Sequence, residues 1–191
     1  MIIGLVGKAR AGKDTFAEYL SKIFLTDFDI EFLRLAFADE LKCLCMEHFG
    51  LTYEQLWGNK KEVEDSRFVK SDGSFLTARE ILQMVGEFYR SIDNDFWVKK
   101  VAKTIGSGDK NFIITDIRYV NEAKYIKSKH GILIKIIRNS APEIHGANHI
   151  SEVSVDFITD DVCDFIIYND YDLKYLYRTA ISTAKLIVDH K

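Results

Sequence analysis

Seven residues near the amino end, Gly7 to Lys13, have the spacing GxxxxGK. They follow an apolar run at Ile2 to Val6 and precede a helical apolar pattern that starts near Asp14, so the order is strand, glycine loop, helix. In such a loop the glycines let successive backbone N–H groups turn towards phosphate oxygens, and the helix adds the positive end of its dipole. The ammonium of Lys13 would reach the β and γ phosphates of a nucleotide. The sequence therefore predicts a phosphate-binding loop.

The residue after Lys13 is an acid, Asp14, where a serine or threonine commonly gives a hydroxyl to Mg²⁺, and Thr15 comes next. A carboxylate is an equally hard oxygen ligand, so Asp14 could hold Mg²⁺ directly or through water while Thr15 contacts a phosphate. An acid in the first turn of a helix also stabilises that helix through its dipole. Both interpretations of Asp14 stay open at this point.

A second candidate lies at Asp116, which ends the short apolar strand predicted at residues 112–115, in the manner of a Walker B segment. Asp116 could organise Mg²⁺ or water beside a transferred phosphoryl group. The planar guanidinium of Arg118 could donate two parallel hydrogen bonds to phosphate oxygens. The alternative is a helix-capping Asp116 with a surface Arg118. Because strand ends line the ligand crevice of a parallel sheet, the nearby phosphate loop favours the functional interpretation.

The helix predicted from Thr77 has one apolar side and one side that carries Arg79, Gln83 and Gly86. An arginine, an amide and a residue without a side chain on successive turns would leave room for a ligand that bears a phosphate and a base. A solvated helix face with a tolerated glycine explains the same pattern.

A zinc site is a weaker candidate. His145, His149 and Glu152 have the spacing i, i+4, i+7, which could bind zinc on a helix. Gly146 and the nearby Pro142 argue against a continuous helix in this segment.

The elements that must position these residues alternate along the chain. Strands followed by helices predict an α/β fold whose parallel sheet is covered on both faces. Residues 58–74 are charged and contain Ser-Asp-Gly-Ser, which is typical of a mobile loop and marks the expected insertion. The predicted strands are 2–6, 31–37, 112–115, 132–137 and 164–168, and the predicted helices start near 14 or cover 38–49, 77–90, 121–129 and 173–188.

The composition is that of a globular protein of 191 residues with a formal net charge of −3 at pH 7. This length favours one domain with an insertion. Because no basic tract is present to neutralise a phosphate backbone, we expect no nucleic-acid polymer as a partner. Three cysteines, two of them one residue apart, indicate a reducing compartment. No apolar run is long enough to span a membrane, and we expect a cytoplasmic protein without a signal peptide.

Several motifs in order give the chain a family resemblance. With GKARAGKDT, AREILQMVG, DNDFWV, ITDIRYVNE, NHISE and DFIIYND, it resembles bacteriophage deoxynucleoside monophosphate kinases from Ile2 to about Tyr177, whereas residues 51–74 match poorly. The resemblance implies the three-layer α/β sandwich of P-loop kinases, with a mostly parallel sheet and helices on both faces. It also implies a single domain over residues 1–191 with an acceptor-binding insertion around 38–105.

The resemblance also implies roles for particular residues. From the chemistry of the side chains themselves, we expect catalysis by Lys13, Arg10, Asp116 and Arg118, with the metal held by Asp14 and Asp116. Arg79 and Arg118 would bind the acceptor phosphate, and Trp97 would form a wall beside its sugar or base, unless that ring belongs to the core. Arg67 and Arg138 are further candidates for phosphate contacts. The expected ATP-binding residues are Gly7, Arg10, Ala11, Gly12, Lys13, Asp14 and Thr15, and the expected acceptor-binding residues are Lys42, Arg79, Gln83, Gly86, Trp97, Arg118 and Glu122.

The expected reaction is transfer of the ATP γ-phosphoryl group to a deoxynucleoside monophosphate, with Mg²⁺, by in-line displacement. A phosphate monoester with a second pKa of about 6 is already dianionic at pH 7, so no strong base is required. The alternatives are a kinase for another small phosphorylated metabolite and a non-catalytic nucleotide-binding switch. The absence of DxxG and of a proper NKxD argues against the switch. The expected partners are small-molecule substrates, and a homodimer is left open.

Overall fold

The computed structural model describes residues 1–106, 110–140 and 149–189. Within these residues, two compact units are present: residues 1–36 with 101–191 form one, and residues 37–100 form the other. Short 3-10 helices lie at Ser154–Phe157 and Asp160–Val162. In chain order the remaining elements are β1 (Ile2–Val6), α1 (Lys13–Phe28), β2 (Phe32–Leu35), α2 (Phe37–Phe49), α3 (Tyr53–Leu56), β3 (Glu64–Val69), β4 (Phe75–Thr77), α4 (Ala78–Ile92), α5 (Phe96–Ile105), β5 (Asn111–Ile117), α6 (Val120–Ser128), β6 (Ile132–Ile137), α7 (Ile150–Val153), β7 (Phe165–Tyr168) and α8 (Leu173–Asp189).

The first unit is built on a five-stranded sheet with the order β2-β5-β1-β6-β7, and every neighbouring pair of strands is parallel. Alternation along β1 sends Ile3 and Leu5 into a core shared with α1 and α8. Gly4 faces the other side, where a Cβ atom would meet Ile126 of α6 at 3.3 Å. The predicted α/β fold with helices on both faces is thus confirmed.

The second unit combines α2, α3, α4 and the first half of α5 with the antiparallel pair β3–β4. The prediction of a mobile loop over residues 58–74 is wrong, because β3 and the hairpin turn lie there. Gly73 supplies the turn at φ 84°, and the N–H of Lys70 donates to the Ser74 carbonyl at 2.7 Å. Most β3 side chains remain exposed, so the strand lacks the apolar alternation that reveals a half-buried one.

Two boundaries differ from the sequence prediction for physical reasons. Strand β2 ends at Leu35, because the buried Phe37 already belongs to α2. Strand β5 runs on to Ile117, with a shift in its pairing with β1 between Gly4 and Val6. Such irregularities change the direction in which side chains point, and this one lies next to Asp116.

The other predicted elements match the structure to within a residue or two. Among the described residues, no helix is both long and apolar enough to cross a membrane. The functional role of the insertion around 38–105 stays a prediction.

Candidate active site

Four chain segments reach one edge of the sheet because its strands are parallel. The loop from Gly7 follows β1, Asp116 is the second-last residue of β5, Arg138 follows β6 and Asn169 follows β7. The carboxyl ends of parallel strands form the crevice in which α/β proteins bind ligands. The topology therefore brings the predicted phosphate loop and Asp116 to the same edge.

The phosphate loop takes backbone conformations that only a few residue types accept. Gly12 has φ 98° and Arg10 has φ 61°, both in the left-handed region. Gly12 is the N-cap of α1, and its residue type offers no side chain to bond the first N–H groups of the helix. These donors can therefore serve an anion, as the motif predicts.

The lysine of the loop, Lys13, is buried, and its pKa is shifted. Its Nζ donates to the carbonyls of Gly7 at 2.7 Å and Lys8 at 2.8 Å, and the residue is 7 % exposed. Desolvation by burial, followed by the positive charge of Arg118, lowers the pKa of Lys13 to about 7, although the carboxylates of Asp14 and Asp116 act in the opposite direction. Asp116 and Arg118 therefore each lie within electrostatic range of Lys13. An amine in this state gains its full charge when a polyanion arrives.

Beside the loop lies a cavity of about 370 Å³. Its wall is rich in cations and backbone donors, which suits a polyphosphate. Gly7 and Ala11 are buried and offer only backbone groups. The lining residues are Arg10, Gly12, Lys13, Asp14, Thr15 and Arg138.

The predicted metal ligands carry hard oxygen atoms at this edge. Asp14 is exposed, and its Oδ1 accepts a hydrogen bond from Arg34 Nη2 at 3.1 Å. In the described part of the chain, no group of three or more His, Cys, Asp or Glu side chains could hold a metal by itself. Mg²⁺ is usually bound by one or two carboxylates together with substrate phosphates, so Asp14 and Asp116 fit that ion.

Asn169 supports the phosphate loop, and the sequence analysis missed it. Its Nδ2 donates to the Ala11 carbonyl at 2.9 Å, and its backbone N–H donates to the Ile137 carbonyl at 2.7 Å. A Cβ atom on Gly12 would collide with the Asn169 side chain. The available signal was its position, because Asn169 directly follows a strand of the parallel sheet.

Glu152 is the second such residue, because the sequence suggested it only as a zinc ligand and not as a partner of the phosphate loop. Its Oε2 accepts from the Ala9 N–H of the phosphate loop at 2.9 Å, and its Oε1 forms an ion pair with Arg118. The residue is 4 % exposed. Four residues further on, the exposed Asp156 pairs with Lys8 at 2.8 Å.

Glu122, which was expected to face the acceptor, is buried in the structure. Glu122 is 2 % exposed, and its Oε2 accepts from the backbone N–H groups of Arg118 at 2.9 Å and Tyr119 at 3.1 Å. The reason is local, since an acid in the first turn of α6 satisfies N–H groups that the helix leaves open. Glu122 holds the backbone of Arg118.

The second unit contains the predicted acceptor residues of α2 and α4. Arg79 forms an ion pair with Glu62, and Gln83 is half-buried on the next turn of α4. Lys42 lies 3.6 Å from Asp39, with its Nζ 5.2 Å from the centroid of the Trp57 ring. Arg67 pairs with Asp65 at 2.6 Å on β3.

Two residues predicted to bind the acceptor are packed inside this unit. Trp97 is 3 % exposed, its Nε1 donates to the Gly86 carbonyl at 3.2 Å, and its ring contacts Tyr89. This packing favours the alternative of a core aromatic, and a role of Trp97 beside the acceptor stays a prediction. Gly86 is buried too, and a Cβ atom there would meet Leu41 at 3.3 Å, so the missing side chain lets α2 approach α4.

One of the three residues proposed as zinc ligands makes other contacts in the structure. Glu152 is committed to Ala9 and Arg118, and His149 Nδ1 accepts from the Ser151 N–H at 3.1 Å. His145, Gly146 and Pro142 lie outside the described residues.

The sequence matches one protein family and a viral relative. The family model described as deoxynucleotide monophosphate kinase matches residues 57–180. A protein of Acanthamoeba polyphaga mimivirus, provisionally named a deoxynucleotide monophosphate kinase, is 31% identical over an aligned length of 201 residues, gaps included. The alignment covers 95% of this chain and 95% of that protein.

Among solved structures, dephospho-CoA kinase from Campylobacter jejuni is similar with a TM-score of 0.52 and 14% identity, covering 97% of this chain and 96% of that one. Shikimate kinase from Aquifex aeolicus has a TM-score of 0.50 and 12% identity, with 98% of each chain covered. At these identities the solved structures establish the P-loop kinase fold alone.

The family model covers more than half of the chain, and the viral relative matches nearly all of it. The chain therefore belongs to the deoxynucleotide monophosphate kinase family and is a phosphotransferase.

Proposed function

We propose that this enzyme transfers the γ-phosphoryl group of ATP to the phosphate of a deoxynucleoside monophosphate, yielding ADP and the diphosphate. The observation that carries the donor half is the buried Lys13 in its phosphate loop, with Arg118 and Asp116 in electrostatic range. The family match supports the class of acceptor.

The donor side is built to neutralise and align a triphosphate. The loop N–H groups and Lys13 would hold the β and γ phosphates, while Arg10 and Arg138 line the same cavity. In phosphoryl transfer there is little covalent chemistry for the protein to do, so positioning and charge stabilisation supply the catalysis. Arg118 would stabilise negative charge on the transferred group.

Magnesium, when bound with ATP, neutralises phosphate charge and would be held by Asp14 and Asp116. Asp14 would then exchange its contact with Arg34 for the metal, and its exposed position leaves it accessible for that exchange.

The acceptor needs binding rather than activation. An oxygen of its phosphate dianion attacks the γ-phosphorus of ATP, the bond from that phosphorus to the bridging oxygen breaks, and ADP leaves. Arg79 is our candidate ligand for the acceptor phosphate, with Lys42 and Gln83 as further contacts in the second unit. Glu62 would release Arg79 to the incoming phosphate, because a dianion competes well for a guanidinium.

A steady-state screen of ADP release tests this proposal. The acceptors are the four deoxynucleoside monophosphates, their ribose counterparts, dephospho-CoA and shikimate. We expect at least one deoxynucleotide to stimulate ADP release well above the rate of hydrolysis. Stimulation by dephospho-CoA or shikimate alone would show that the acceptor is not a deoxynucleoside monophosphate. Slow hydrolysis that no acceptor changes would contradict the proposal.

A further inference from the structure

We propose that Glu152 is a positioning residue for phosphoryl transfer: its buried carboxylate ties the phosphate loop to Arg118 and holds that guanidinium where the transferred phosphoryl group passes. The inference rests on the ATP-dependent half of the proposed function, which gives Arg118 its role, and not on the identity of the acceptor. Glu152 itself need not touch either substrate.

One carboxylate serves two partners that are far apart in the sequence. Oε2 accepts from the Ala9 N–H, and Oε1 pairs with Arg118. The side chain of Glu152 is 5 % exposed and that of Arg118 is 22 % exposed, so water screens this pair less than a surface pair. Each carboxylate oxygen has a partner. Loss of Arg118 would leave the buried charge of Glu152 uncompensated, which is unfavourable.

The local structure around Glu152 explains why the carboxylate is held firmly. His149 caps α7, since its Nδ1 accepts from the Ser151 N–H, and the Glu152 N–H donates to the His149 carbonyl at 2.8 Å. On the other side, Glu122 accepts from the backbone N–H of Arg118. Arg118 is thereby fixed by one acid at its backbone and by another at its guanidinium.

The negative charge of Glu152 determines whether the residue contributes to ATP affinity or to kcat. A carboxylate beside the loop repels phosphates, so it does not help ATP to bind. Its benefit must come from alignment of Arg118, which matters when charge develops in the transition state. A residue of this kind lowers kcat when removed and leaves ATP affinity unchanged or improved.

The central variant is Glu152→Gln. The substitution replaces one of the two carboxylate oxygens by an NH2 group, which only donates, so in the same position the side chain can accept from the Ala9 N–H or from Arg118 but not from both. We expect kcat to fall at least tenfold while the Kd for ATP, measured by calorimetry, changes less than threefold. Glu152→Asp retains the charge on a shorter stem that cannot span both partners, and it should show the same split even if Glu152→Gln fails to fold.

The matched control is Asp156→Asn. Asp156 also pairs with a residue of the phosphate loop, Lys8, but both side chains are more than half exposed. We expect kcat and ATP affinity to stay within twofold of the wild type. An equal loss of kcat in Asp156→Asn would overturn the assignment, because any charge change in this segment would then suffice.

A double-mutant cycle tests whether Glu152 acts through Arg118. In an Arg118→Ala background, Glu152→Gln should lower kcat by less than twofold, so the two losses do not add. Additive losses, or a tenfold weaker ATP affinity with kcat intact, would overturn the inference.

The cycle can also be measured on the slow hydrolysis of MgATP, which needs no acceptor. If no deoxynucleotide is phosphorylated but the coupling persists in hydrolysis, the proposed function fails and this inference stands. Loss of coupling in both assays overturns the inference by itself.

Discussion

The buried amine of Lys13 shows how strongly a fold can alter one side chain. A solvent-exposed lysine keeps its charge far above neutral pH, but burial and the neighbouring Arg118 lower the pKa of Lys13 to about 7. In the unfolded chain the same amine binds its proton more tightly, so between about pH 7 and pH 10 this group makes the free energy of unfolding rise with pH. Phosphates that bind Lys13 should reverse the shift.

We therefore expect ATP binding at pH 8 to take up close to one proton. At that pH the amine of the empty protein is mostly neutral, and the bound phosphates raise its pKa again. Calorimetry in two buffers of different ionisation enthalpy measures the uptake, which should become small at pH 6, where Lys13 is already charged. A binding enthalpy at pH 8 that does not depend on the buffer would contradict this assignment.

Residue identities in the site were predictable where a motif or a strand end marked them. Lys13, Asp116 and Arg118 were predicted in this way, and their roles stay predictions. Glu152 and Asn169 were not, because their partners in the loop lie 143 and 158 residues away along the chain. No local pattern encodes such a contact.

Helix α4 illustrates what periodicity can and cannot predict about an element. Its apolar stripe correctly indicated a helix over 77–90, and Thr77 and Glu80 form the capping box that starts it. Periodicity did not reveal which face has a neighbour. Gly86 therefore looked like an opening for a ligand, although it allows close packing with Leu41.

Two substitutions in the second unit separate packing from ligand binding. Trp97→Phe removes the hydrogen bond to Gly86 and part of a buried ring, which should cost about 1–3 kcal/mol and lower Tm by several degrees. Its KM for the acceptor should change less than twofold. Arg79→Ala should instead raise that KM at least tenfold, since a charged phosphate contact is worth about 1.5–3 kcal/mol.

Thermal unfolding and steady-state kinetics of both variants provide the readout. An unchanged acceptor KM in Arg79→Ala would remove Arg79 from the phosphate site. A large rise of that KM in a fully stable Trp97→Phe protein would restore Trp97 as a wall of the ligand site.

For the whole molecule, alternation of apolar strands with helices was enough to predict the α/β fold. The strand order β2-β5-β1-β6-β7 was not predictable from alternation, because it depends on which strands pair across long crossovers. The hairpin β3–β4 was missed since β3 is largely exposed and lacks an apolar face, and β4 has only three residues. The homodimer and the cytoplasmic location stay predictions.

The most direct test of the account follows the phosphoryl group itself. Wild-type protein is mixed with Mg²⁺, ATP labelled in its γ-phosphate and each unlabelled deoxynucleoside monophosphate, and the products are separated. We predict label in the deoxynucleoside diphosphate for at least one base and none with folded Lys13→Ala protein. Label recovered only as inorganic phosphate with every acceptor, from a folded wild-type enzyme, would contradict the central claim.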